Sequence, residues 1–166
     1  MFTKIEHFEK AYQSLVSGTM NILNALTDQS LSQSVTDDHR TLGRMAWHNV
    51  TTIPEMMNLT GLTVKTIAPD APVPKKAADI KAAYQAVTGE LLKQVKEKWH
   101  DADLMAEDDM YGEKWKKGYT LYVLILHEVH HRGQMTVLMR QAGLPVPGTA
   151  GPSKEEWSKY GMKPPE

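Results

Sequence analysis

The chain has 166 residues, 41% of them hydrophobic and 23% charged, with a formal net charge of -1. That is a globular profile without the basic surplus that nucleic-acid binding demands, and its length predicts one domain, residues 1–166, able to bury a core without disulfides or a structural metal. There is no cysteine, so disulfides, thiolate metal ligands and a cysteine nucleophile are excluded, and histidine and carboxylates are the strong ligands available.

Residues 1–10 mix acids, bases and single apolar residues, unlike a signal or transit peptide. The longest apolar run, 121–126, is far shorter than a membrane span. A cytoplasmic protein without a membrane segment is expected. Next, Ile5, Phe8, Tyr12, Leu15, Val16, Thr19, Ile22, Leu23 and Leu26 recur at helical spacing and predict a first helix over about 3–25. Residues 28–38, rich in Ser, Thr, Gln and Asp, predict a loop. A second helix is expected over about 42–57, capped by Thr41 or Asp38, with Leu42, Met45, Trp47, His48, Ile53, Met56 and Met57 near its inner side. Pro54 should kink or shorten it.

Residues 59–76 carry Gly61, Pro69, Pro72 and Pro74 without a period, which suits a long crossover between helices that are not hairpin neighbours. Ile80, Ala83, Tyr84, Val87, Leu91, Leu92, Val95 and Trp99 predict a third helix over about 77–99. The polar stretch 100–117 has room for an extended piece around 104–111. A fourth helix should start near Gly118 or Thr120 and reach about Ala142, where Gly143 and Pro145 stop it. The Gly/Pro-rich tail, 143–166, allows one short helical turn that Ser153 could cap. The class is all-α: a four-helix bundle over about 3–142, plus the tail.

Chemistry concentrates in the fourth helix, where His127-Glu128-Val129-His130-His131 matches the H-E-x-x-H pattern of zinc hydrolases. Residues four apart stack on one helix face, so His127 and His131 can grip one ion together. Leu124, Gln134, Met135 and Leu138 share their face and mark it as interior, whereas His130 lies toward its edge. Catalytic metal sites usually take three protein ligands, and His48, embedded in the apolar pattern of helix two, is the internal histidine that qualifies. His7, His39 and His100 fall near helix ends or in polar stretches and are expected to be exposed.

The protease reading fits less well. The extended zinc-protease signature needs a glycine and a third histidine where Gln134 and Val137 stand. A distant glutamate ligand would have to be Glu155, Glu156 or Glu166, all in the irregular tail. Among the neighbours, Arg132 and Gln134 are candidates for supporting or anion-binding contacts, with Arg132 directed away from the ligands. Gly133, in mid-helix at a cost of about 1 kcal/mol relative to alanine, predicts a close approach by another helix, within the chain or across a dimer interface. Trp47 and Tyr122 read as core packing.

Leu42, Gly43 and His48 in helix two, the run from His127 to Gln134, and a tail containing Gly143-Leu144-Pro145-Val146-Pro147-Gly148, Gly151-Pro152-Ser153 and Glu156-Trp157 together resemble the DinB-like proteins over nearly the whole chain. The resemblance implies an up-down-down-up bundle with the long crossover between helices two and three, often dimeric. It also implies a divalent metal ion such as zinc, nickel or iron, held by His48, His127 and His131. Some relatives of this type are transferases or isomerases that use a low-molecular-weight thiol such as bacillithiol, mycothiol or glutathione. The expectation is therefore a bacterial, damage-inducible metalloenzyme acting on a small molecule, with a thiol cosubstrate. The alternatives are an H-E-x-x-H hydrolase or a non-catalytic metal-binding stress protein.

Overall fold

The computed structural model describes residues 1–65, 67 and 71–164. Among these, four long helices are formed: α1 (Ile5–Ala25), α2 (Leu42–Met57), α3 (Ala77–Lys98) and α4 (Lys117–Gln141), with a small antiparallel sheet of β1 (Glu107–Met110) and β2 (Glu113–Lys116) between α3 and α4. The chain is thus mostly helical. Both α1 and α2 pack on α3 and on α4. Their shared core contains Phe8, Tyr12, Ile22, Leu42, Ile53, Met57, Ile80, Tyr84, Leu91, Leu121, Met135 and Met139. No described helix is long and apolar enough to cross a membrane.

The helices follow the apolar periods closely, and their ends are set by groups near and far. Thr41 caps α2 as expected, its hydroxyl accepting from the Arg44 amide at 3.1 Å. Helix α1 starts at Ile5 rather than Thr3, because Asp101, in a 3-10 turn after α3, accepts the Ile5 amide at 2.9 Å and pairs with Lys4. Likewise, Asp28 caps α3 by accepting the Ala77 amide at 2.8 Å. Pro54 does not shorten α2, which reaches Met57 before Gly61 turns the chain at φ 82°. Its position in the last turn removes one hydrogen bond near an end where the ladder is finishing.

Two connections differ from the sequence expectation. The loop after α1 contains a 3-10 turn, Gln29–Ser32, whose Leu31 is buried with its backbone and Cβ against Gly43 of α2. The expected extended piece is real over Glu107–Met110, but it is half of a hairpin. Tyr111 and Gly112, both at positive φ (57° and 88°), make the two-residue turn that suits the twist of such a pair. The strands EDDM and EKWK lack apolar alternation, so the second one carried no periodic signal.

The crossover begins at Asn58, which brackets Val64 with two side-chain bonds, and at Gln94 of α3, which binds the backbone of Thr63 through both ends of its amide. Pro69, cited for this crossover, lies outside the described residues, as does Glu166. In the tail, Ser153 stands at the start of a 3-10 turn, Lys154–Tyr160. Glu156 accepts the Ser153 and Gly148 amides there, Glu155 pairs with Arg140, and Val146 is buried.

Candidate metal centre

Helix α4 should carry an unbroken apolar inner stripe, yet its middle is polar. Leu121 and Leu124 on one side and Met135, Leu138 and Met139 on the other enclose buried Glu128, His131 and Arg132 and half-buried His127. A core-facing stretch that breaks its own apolar pattern needs partners for every polar group. Two separate sets of partners are present, on two sides of the helix.

Toward α2, His127 and His131 lie one turn apart with ring centroids 4.5 Å from each other. His48 brings its ring to 5.0 Å from His127 and 4.7 Å from His131. One ring nitrogen from each of the three can be chosen so that all lie within 4.8 Å of one another, and among the described residues this is the one such group. The Nε2 atoms of His127 and His131 are 3.2 Å apart. Nδ1 of His131 faces Oε1 of Gln134 at 2.7 Å, an acceptor that places the proton on Nδ1 and leaves the Nε2 lone pair free. The Thr52 hydroxyl sits 3.3 Å from Nδ1 of His48.

Burial is the main reason the imidazoles resist protonation. It brings His48 down to about 4, assisted by His131, His127, Arg40 and Arg44. It does the same for His127, also to about 4, with His131, His130 and Arg40 adding to it. His131 is lowered as well, by burial first, against the opposing bond to Gln134. Three neutral imidazoles with converging lone pairs fit a borderline divalent ion such as zinc, nickel or iron, whose geometry accepts three nitrogens and leaves positions open.

On the other side, Glu128 enters the space between α1 and α3. Its Oε1 accepts from Thr19 at 2.6 Å and from Tyr84 at 2.5 Å, while among the described residues Oε2 and the nearby buried Tyr12 hydroxyl have no hydrogen-bond partner. Burial raises the Glu128 carboxyl, opposed by those two bonds and by Arg132. The glutamate of an H-E-x-x-H hydrolase works beside the metal as a base; here its carboxylate is engaged by two hydroxyls on other helices. Glu155 and Glu156, the described tail glutamates, are bonded within the tail or to Arg140.

The remaining sequence candidates sort cleanly. His130 is exposed, with its ring 5.0 Å from that of His131, and is not one of the converging three. His7, His39 and His100 are exposed as expected. Gln134 supports His131, whereas Arg132 is structural, donating to the Leu15 carbonyl at 3.2 Å and filling the space over Gly18. Among the described residues of the chain nothing stands against Gly133, so within the chain no helix makes the close approach there; the crowded glycine is Gly18, against Arg132 and Thr149. Trp47 is buried, but Tyr122 is exposed beside Tyr119.

Sequence reasoning did not single out Arg40, although its charge acts on all three imidazoles. No periodic signal pointed to it, because Arg40 precedes the extended Thr41 cap and so stands outside the helical spacing of α2. A cleft of about 480 Å³ opens beside His131, lined by Arg40, Met45, Gln134, Val137 and Leu138 among others. No described tail residue lines it; Thr149 of the tail lies against Gly18 instead.

Comparison with known proteins places these features in context. A model of the DinB family matches residues 1–165. The uncharacterized protein YrdA of Bacillus subtilis strain 168 is 43% identical over 166 residues, spanning 100% of this chain and 99% of that protein. The crystal structure of a DinB-like protein from Bacillus cereus has a TM-score of 0.86 at 43% identity, covering 89% of this chain and 99% of that one. A DinB-like protein of Bacillus subtilis, YjoA, shares the fold at 16% identity, with a TM-score of 0.68 over 86% of this chain and 97% of its own.

Proposed function

Because the chain belongs to the DinB family, we propose that it is a divalent-metal enzyme that uses His48, His127 and His131 to activate a low-molecular-weight thiol, or water, for attack on a small electrophilic substrate. The convergence of one nitrogen from each histidine within 4.8 Å carries this reading. An ion bound there would supply Lewis acidity, lowering the pKa of a coordinated thiol or water toward neutrality. The chain's own part is to hold three imidazoles neutral by burial, to fix His131 through Gln134, and to leave a cleft open beside His131.

The absence of cysteine is consistent with a thiol brought in as cosubstrate. We further infer a single domain with its helices in up-down-down-up order, working as a homodimer in the cytoplasm under stress. The engagement of Glu128 by Thr19 and Tyr84 weighs against the H-E-x-x-H hydrolase. The open cleft favours catalysis over a purely structural ion.

The test is metal content of protein purified without a histidine tag, for the wild type and for His48→Ala and His127→Ala, with circular dichroism to confirm folding. About one ion per chain is expected in the wild type and little in either variant. Metal retained by folded His48→Ala would overturn the three-histidine centre. Cobalt-loaded wild type should change its absorption when thiol is added; an unchanged spectrum would favour water activation or the structural alternative.

A further inference from the structure

We propose that the cleft beside His131 is a subsite for an organic carboxylate with an apolar body, and that Arg40 is the residue that reads its acidic group. This deepens the metalloenzyme reading above and rests on it for the substrate's place beside the histidines.

Three observations support the assignment. First, the cleft, about 480 Å³, is of the size that takes small organic ligands. Met45, Val137 and Leu138 give it an apolar wall, and Val137 is 54% exposed, a surface that an apolar body would cover. Second, Arg40 lines the same cleft as His131 and, among the described residues, has neither an ion-pair nor a hydrogen-bond partner. One acid, Asp38, also lines the cleft, and it is engaged by the Thr36 hydroxyl at 2.6 Å and Nδ1 of His39 at 3.2 Å rather than by Arg40.

Third, the cleft puts Arg40 on the same side as His131, one of the three converging imidazoles that would hold the ion. Neutral imidazoles offset none of a divalent ion's charge, so ion and guanidinium together leave an excess that an anionic ligand relieves. A planar guanidinium also matches a carboxylate with two parallel hydrogen bonds, which a neutral amide of the same shape cannot reproduce.

The experiment uses metal-free protein, titrated calorimetrically with hexanoate and with hexanamide, which share a chain and differ in charge. Hexanoate should bind about 10-fold more tightly, the scale of one charge-assisted contact. Arg40→Gln should bring the two ligands to within about 2-fold by weakening hexanoate alone. Equal binding of both by the wild type, a preference that survives Arg40→Gln, or no binding of either would overturn the proposal. Arg40 is exposed and outside the core, so the variant should keep its fold.

Metal content of metal-reconstituted samples of both proteins separates the two readings. A wild type that takes up no ion yet shows the Arg40-dependent preference removes the metal centre and leaves the carboxylate subsite. A wild type that holds its ion without that preference does the reverse.

Discussion

His48 and His127 carry ring pKa values of about 4 where an unburied imidazole has 6.5. The sign of their effect on stability follows directly. Above about 6.5 neither folded nor unfolded imidazole is charged, and they contribute nothing to pH dependence. Between about 6.5 and 4 the unfolded chain takes up protons that the folded chain refuses, so the metal-free protein should lose stability as pH falls through that window. Its melting temperature, followed by circular dichroism, should therefore decline across it. The decline should be shallower in His127→Ala, and an equal slope in both would mean that the imidazoles are less buried than their setting indicates. Asp38, Asp101, Glu155 and Glu156, whose carboxyls are lowered, act in a different window, losing their contribution only as pH falls through the carboxylate range.

Within single helices, two glycines that look alike in sequence have opposite surroundings. Gly133 sits inside α4 and, among the described residues outside its own helix backbone, nothing lies within 4 Å of where a Cβ would stand. Gly133→Ala should raise stability by about 0.5–1 kcal/mol through helix propensity alone. Gly18 of α1 has Arg132 Nη1 at 2.8 Å and Thr149 at 3.3 Å from the same point. Arg132 is itself buried and bonded to Leu15, so it has little room to give way. Gly18→Ala should cost about 1–3 kcal/mol by overpacking. Urea denaturation of the two variants checks both signs, and stabilisation by Gly18→Ala would show that Arg132 is freer than its contacts imply. The middle of α4 follows the same logic: its polar residues are tolerated because α2 receives the histidines while α1 and α3 receive Glu128.

Across the whole molecule, the proposed ion would tie α2 to α4, since His48 comes from one and His127 and His131 from the other. An ion that binds the folded state alone stabilises it by about 2.7 kcal/mol at 100 times its dissociation constant. Zinc added to metal-free wild type should raise the melting temperature, and the rise should vanish in His48→Ala. A rise that persists in this variant would mean that α4 alone holds the ion through His127 and His131.

The sequence by itself determined the helices and the repeating half of the site. Spacings of three and four residues are local rules, so Ile80 to Val95 announced α3, and the step from His127 to His131 placed two nitrogens on one face. His48 was legible as a third candidate because it interrupts an apolar stripe. Only the tertiary structure decided what depends on residues far apart in the chain: Asp101 capping α1, Asp28 capping α3, the EKWK strand finding EDDM, and Glu128 turning to Thr19 and Tyr84. It also decided that Arg40, polar and aperiodic in its loop, shares a cleft with His131. The physical reason is common to all of these: a hydrogen bond or a charge acts through space on a single partner, and a lone polar residue leaves no periodic trace of where that partner lies.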